Sequence, residues 1–123
     1  MKNLVFLLAL ACLPARAEWT LLTESVDKDK YYVDSATKKS GERPRVWVLA
    51  DYEYPKTPGV LSRKVFYEAD CAEGTMRILS IVEHGLSMGR GIAETVNERT
   101  EWSYPPPGSV SARIFIYLCG KNP

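Results

Sequence analysis

The chain has 123 residues, 46% of them hydrophobic, with 16 basic against 15 acidic side chains and a formal net charge of +1. That length suits one domain. The even charge excludes a strongly electrostatic nucleic-acid binder, which needs a basic surface, and no acidic or basic block points to another partner.

The chain opens as an export signal. Lys2 gives a basic start, and Leu4 to Leu13 form an apolar run that Pro14 ends. The run is about ten residues long, far short of the ~20 needed to span a bilayer. Ala15 and Ala17 then flank Arg16 as the small residues that signal peptidase reads. Residues 1–17 are therefore expected to be a signal peptide, and residues 18–123 the mature domain. Cys12 offers a rival, a lipid anchor. Ala11 before it fits a lipoprotein signal, but Ala9-Leu10-Ala11 lacks the usual leucine three residues before the cysteine. Cleavage after Ala17 removes Lys2 and Arg16, leaving 14 basic against 15 acidic residues and a net charge of −1.

Two cysteines then remain, Cys71 and Cys119. Cys71 alone could be a nucleophile, a metal ligand, a buried thiol or half of a disulfide. Export favours the last, because disulfides persist outside the cytoplasm and two cysteines allow one intramolecular pairing. Closing a loop of about 50 residues is worth roughly 4 kcal/mol in the chain-entropy account. That is a large share of a small domain's stability of about 5–15 kcal/mol.

In chain order, Trp19–Ser25 reads as a short strand, and Lys30–Asp34 as another, followed by a polar loop or helical turn up to Gly41. Arg45–Tyr54 is a stronger strand. Val46, Val48, Ala50 and Tyr52 share one face, and Trp47, Leu49, Asp51 and Glu53 the other. Pro55–Gly59 is a turn. In Val60–Asp70 the face of Leu61, Val65, Tyr67 and Ala69 leads to Cys71, while Ser62, Lys64, Glu68 and Asp70 point away with Phe66. Glu73-Gly74 turns the chain into Thr75–His84, so the two runs read as a hairpin. Gly85–Gly91 is a glycine-punctuated loop, and IAETV and EWSY are short strand candidates. The tail is ambiguous. Val110, Ala112, Ile114, Ile116 and Leu118 alternate as in a strand, yet Ser109 and Gly120 are helix-capping residues. As a helix, the tail would line up Ala112, Phe115, Ile116 and Cys119.

Taken together, YYVDSAT (Tyr31–Thr37), VWVLADY (Val46–Tyr52), SRKVFYEADC (Ser62–Cys71), MRILS (Met76–Ser80), PGS (Pro107–Ser109) and YLC (Tyr117–Cys119) resemble the bacterial surface-adhesin protein E-like family. The resemblance covers nearly all of residues 18–123. It implies an α+β fold: a curved antiparallel sheet of about six strands, with a C-terminal helix packed on one face and tethered by a disulfide. It settles Ser109–Cys119 as the helix. It also implies adhesion to host surface or matrix proteins.

Residues for chemistry are sparse. One histidine, His84, and two bridged cysteines cannot build an ordinary zinc site. Asp27, Asp29 and Asp34 lack a calcium-loop pattern. Asp51 and Glu53 share a strand face, but two acids on a solvated face are far commoner than a glycosidase pair. Gly89–Gly91 is too short for a phosphate cradle, and no nucleophile elbow appears. His84 reads as an ordinary strand-end histidine.

Lys28, Lys30, Lys38, Lys39, Arg43 and Arg45 lean basic but are diluted by acids, so they read as a solvated edge. The candidate binding residues are the aromatics Trp47, Tyr52, Tyr54, Trp102 and Tyr104, because exposed aromatics often mark interfaces. The expectation is an exported, non-enzymatic binding protein of the periplasm or cell surface, with no cofactor, metal, nucleic acid or membrane span. Its partner would be a protein ligand, with a homodimer as a further option. The rival is a small periplasmic hydrolase or an accessory subunit of an envelope enzyme.

Overall fold

Two long complementary strands dominate the chain. Ser62–Asp70 and Thr75–His84 carry alternating apolar residues and are joined by a tight turn, and they pair antiparallel from Ser62↔His84 to Asp70↔Thr75. A register shift between Phe66 and Tyr67 lets the longer strand carry one extra residue. The computed structural model describes residues 18–96 and 99–123. The predicted signal segment and Cys12 lie outside them.

In order, the elements are β1 (Thr20–Glu24), β2 (Lys30–Val33), a 3-10 turn at Ser35–Thr37, β3 (Arg45–Asp51), β4 (Ser62–Asp70) and β5 (Thr75–His84). A second 3-10 turn at Ser87–Gly89, β6 (Ala93–Val96) and α1 (Val110–Cys119) follow. The strands form one six-stranded antiparallel sheet in the order β1-β2-β3-β4-β5-β6, so each pairs with its neighbours in sequence. This is the predicted α+β fold.

Some boundaries differ from expectation. β3 stops at Asp51 rather than Tyr54, and β4 starts at Ser62 rather than Val60, because the proline-containing turn withdraws several residues on each side from the ladder. EWSY does not form a strand of its own. It contributes a single bridge, Ser103 to Met76, and Thr100 bonds both backbone groups of Ile78.

The tail is helical, and its caps explain how. The Ser109 hydroxyl donates to the Pro106 carbonyl at 2.6 Å and accepts from the Ala112 N–H at 3.1 Å. Gly120 closes the helix at φ +71°, a left-handed conformation that suits glycine, and donates to the Ile116 carbonyl. Inside the helix Ala112, Ile114, Phe115 and Leu118 are buried. Ile116, expected in the core, is only half-buried. The stripe therefore turns toward Ile114 and Leu118, the i and i+4 positions over the sheet.

The helix packs on the sheet face that carries Val33, Val46, Val48, Ala69 and Met76, with Leu22, Tyr31 and Tyr67 at the margin. Phe115 and Ile114 are completely buried there. Cys71, just past β4, bonds Cys119 at the last turn of α1, with Cα atoms 5.5 Å apart. A ten-residue helix is marginal on its own, so packing and the covalent tether hold it. Cys119→Ser is expected to lower stability by about 2–5 kcal/mol, read as the loss in urea midpoint against unaltered protein. An unchanged midpoint would show that the tether is dispensable.

Candidate binding surfaces

The predicted aromatics do not meet in one place. Tyr52 follows β3 on the helix side. Its hydroxyl accepts from Arg63 Nη1 at 3.0 Å, and the Arg63 and Lys56 cations lie over its ring at 5.4 and 5.8 Å. Arg63 is itself paired with Glu83 at 2.8 Å. Tyr31 and Tyr67 lie nearby on the same face, and burial pushes both phenols above their usual 10. These rings stay protonated at neutral pH.

Trp47 and Trp102 sit on the opposite, open face. Trp47 stacks on Phe66, its cross-strand partner, with centroids 4.9 Å apart. Trp102 covers Arg77 at 4.4 Å and Arg43 at 5.4 Å. Beneath it, Glu68 is completely buried. Its carboxylate accepts from Arg45 Nε at 2.6 Å and from Arg77 Nε and Nη2 at 2.9 and 2.8 Å. Pattern reading missed this layer, since Glu68 looked like an outward strand residue. The cross-strand register Arg45↔Glu68↔Arg77 is what brings the three together. Because both arginines reach solvent, Glu68→Gln should cost about 1.5–3 kcal/mol, seen as a lower melting temperature. A loss below the scatter of surface substitutions would reduce the triad to decoration.

Half of the basic-leaning segment is committed to such pairs. Lys38 donates to the Tyr117 carbonyl and lies over its ring, Arg43 pairs with Asp70, and Arg45 holds Glu68. It is not a free cationic track. Asp51 and Glu53 do not make a carboxylate pair either. Asp51 accepts from the Met88 N–H at 2.8 Å, while Glu53 lies past the strand and its N–H donates to Asp29.

His84 ends β5 as predicted, but it is buried, only 5% exposed. Neither ring nitrogen has a hydrogen-bond partner among the described residues, so no hydroxyl, thiol or carboxylate stands ready to work with it. Burial, and then the Lys64 charge, lowers its pKa below the usual 6.5. A depressed pKa means that folding favours the neutral ring. Its contribution is fully present above pH 6.5 and is lost as the pH falls through the lowered value. Carboxylates stay largely ionised across most of that window. The melting temperature should therefore drop as the pH falls below 6.5 in the native protein and drop less in His84→Leu. Equal slopes would remove His84 as the cause.

One end of the sheet gathers what sequence reading did not. The β1–β2 turn, the β3–β4 loop and the β5–β6 loop all lie there. They are joined to one another. Asp29, buried, accepts from the Glu53 N–H at 3.0 Å and pairs with Lys56 Nζ at 2.7 Å. The Ser62 hydroxyl donates to the Leu86 carbonyl and accepts from the Gly89 N–H. On this end Val26 is 100% exposed, Ile92 89%, Tyr54 74% and Leu86 55%. Val60, Leu86 and Ile92 border a hollow of about 460 Å³ between the last two loops. Tyr104, also exposed, lies elsewhere, in the segment that leads to α1.

The model of the family described as surface-adhesin protein E matches residues 19–120. The chain belongs to the surface-adhesin protein E family. Solved structures of Haemophilus influenzae protein E share the fold. One superposes with a TM-score of 0.63 at 14% identity, covering 86% of this chain and 86% of that one. Its selenomethionine form gives 0.64 at 13% identity, covering 88% and 90%, and a second crystal form gives 0.61 at 16%, covering 87% and 93%. The search of curated proteins finds no match. Among the described residues, no helix is long and apolar enough to cross a membrane.

Proposed function

We propose that this chain is a non-enzymatic surface binding protein that engages a protein of the host surface or matrix through the loop end of its sheet. Residues 1–17 act as an export signal in this reading, and residues 18–123 are the working domain. Membership of an adhesin family supports the reading. The observation that carries it is that Val26, Tyr54, Leu86 and Ile92 are all held out to solvent at one end of the sheet, on three interlocked loops.

Large apolar side chains scattered singly on a surface are ordinary. Four of them on one end, in loops tied together by Asp29 and Ser62, make a built surface. Fully burying such a side chain is worth about 1.5–3 kcal/mol, and a few anchors of this kind carry most of the affinity of a protein interface. Lys28, Glu53, Lys56, Arg90 and Glu94, all exposed around them, provide the polar rim.

The double substitution Val26→Asp and Ile92→Asp touches nothing in the core, so the melting temperature should hold. Binding to cultured epithelial cells and to immobilised matrix proteins should fall at least ~10-fold. If the double variant binds as well as the native protein, the loop end is not the contact surface.

A further inference from the structure

The open face carries a second feature, independent of the loop end. Strand register sets three neighbouring rows across it. Asp34, Trp47, Phe66 and Ser80 form one; Tyr32, Leu49, Lys64 and Val82 the next; Ser62, His84 and Ala93 the third. Trp19 stands beside Asp34, because Thr20 pairs with Val33. A shallow groove of about 400 Å³ runs diagonally over these rows, bordered by Trp19, Asp34, Trp47, Lys64, Val82 and His84. Its size is in the range of small-ligand sites.

The lining alternates two kinds of surface. Trp19 and Trp47 offer half-buried indoles, and Trp47 is fixed from behind by its stack on Phe66. Beside them lie polar groups with unused capacity. Lys64 forms no ion pair among the described residues. His84 is 95% buried, being only 5% exposed, and both its nitrogens lack a partner. Asp34 commits one carboxylate oxygen to the Ala36 N–H.

We propose that this groove is a binding site for a carboxylated sugar, with the sugar ring on the indoles, its carboxylate on Lys64 and a hydroxyl toward His84. The ring C–H hydrogens of a sugar carry partial positive charge and suit the negative face of an indole. A sugar hydroxyl can donate to or accept from one of the two unpartnered ring nitrogens, whichever tautomer the neutral imidazole takes. A purely apolar occupant would leave those nitrogens orphaned. A neutral sugar would leave the Lys64 ammonium without its anion. The acid function thus supplies selectivity and the indoles supply contact area.

The test titrates the purified full chain with sialyllactose, with digalacturonate and with lactose, following tryptophan fluorescence. Sialyllactose represents host glycans and digalacturonate represents acidic polysaccharides, so the tighter of the two assigns the source. At least one acidic sugar should saturate with a Kd of about 1 mM or tighter, with lactose at least ~10-fold weaker. Lys64→Gln should erase the preference for the acid while the melt is unchanged. Trp19→Ala, which precedes the first strand and leaves the core alone, should weaken all binding. Absence of saturation by either acidic sugar, equal affinity for lactose, or a preference that survives in Lys64→Gln overturns the proposal. So does saturation by an indole-rich peptide but by no sugar. Because the loop-end variant Val26→Asp/Ile92→Asp leaves this groove intact, it should keep sugar binding, and the two surfaces stand or fall separately.

Discussion

The contact between α1 and the sheet is the constraint on which the rest of the molecule depends. Phe115 and Ile114 have no solvent exposure, and the residues they meet, Val33, Val46, Val48, Ala69 and Met76, come from four of the six strands. Without the helix, that face would present a continuous apolar surface to water. Without the sheet, ten residues would not hold a helix. Each element is thus the solvent the other needs, and the Cys71–Cys119 bond removes the freedom of the tail to leave. Because the sheet is held against a fixed partner on one side, its other side can be assigned to contact.

The two faces are stabilised by different physics. The helix face relies on apolar burial, with a polar margin at Tyr52, Arg63 and Glu83. The open face relies on stacking and charge: Trp47 on Phe66, Trp102 over Arg77 and Arg43, and Glu68 between Arg45 and Arg77. A buried carboxylate is tolerable there because three charge-assisted bonds replace its lost water. His84 is the exception, since nothing within the described residues replaces its water. At the edge of this face the Gly85–Gly91 loop folds inward. At Gly89 the backbone takes φ +67°, a left-handed conformation that favours glycine, and a Cβ there would make the Lys64 side chain shift.

How much of this was legible beforehand varied with the range of the interaction that decides it. The β4–β5 hairpin could be read directly, because period-two alternation on both sides of Glu73-Gly74 is a local signal. The two-faced reading of β3 held for the same reason, with Val46 and Val48 inward and Trp47 outward. The tail could not be read from periodicity, since its residues alternate as well as they spiral. Ser109 and Gly120 pointed the right way, and family resemblance decided it. Glu68 was placed on the correct face, but its burial could not be read, because it follows from two arginines on neighbouring strands and from Trp102, more than thirty positions away. The exposed loop end was invisible for a related reason. Val26, Tyr54, Leu86 and Ile92 are far apart in the chain, and a hydrophobic residue in a sequence carries no mark of being left outside.

The strand order has a consequence for how the molecule assembles in time. In a meander each strand finds its partner in the segment just before it, so most of the sheet closes through short loops, a topology associated with rapid folding. For a chain that emerges amino-terminus first, β1 to β5 can zip together while the tail is still arriving. Phe115 and Cys119, which cover and lock that sheet, arrive after all six strands. The apolar face must therefore wait, uncovered, until α1 has arrived. During that interval the half-made domain is most open to aggregation and most in need of a chaperone.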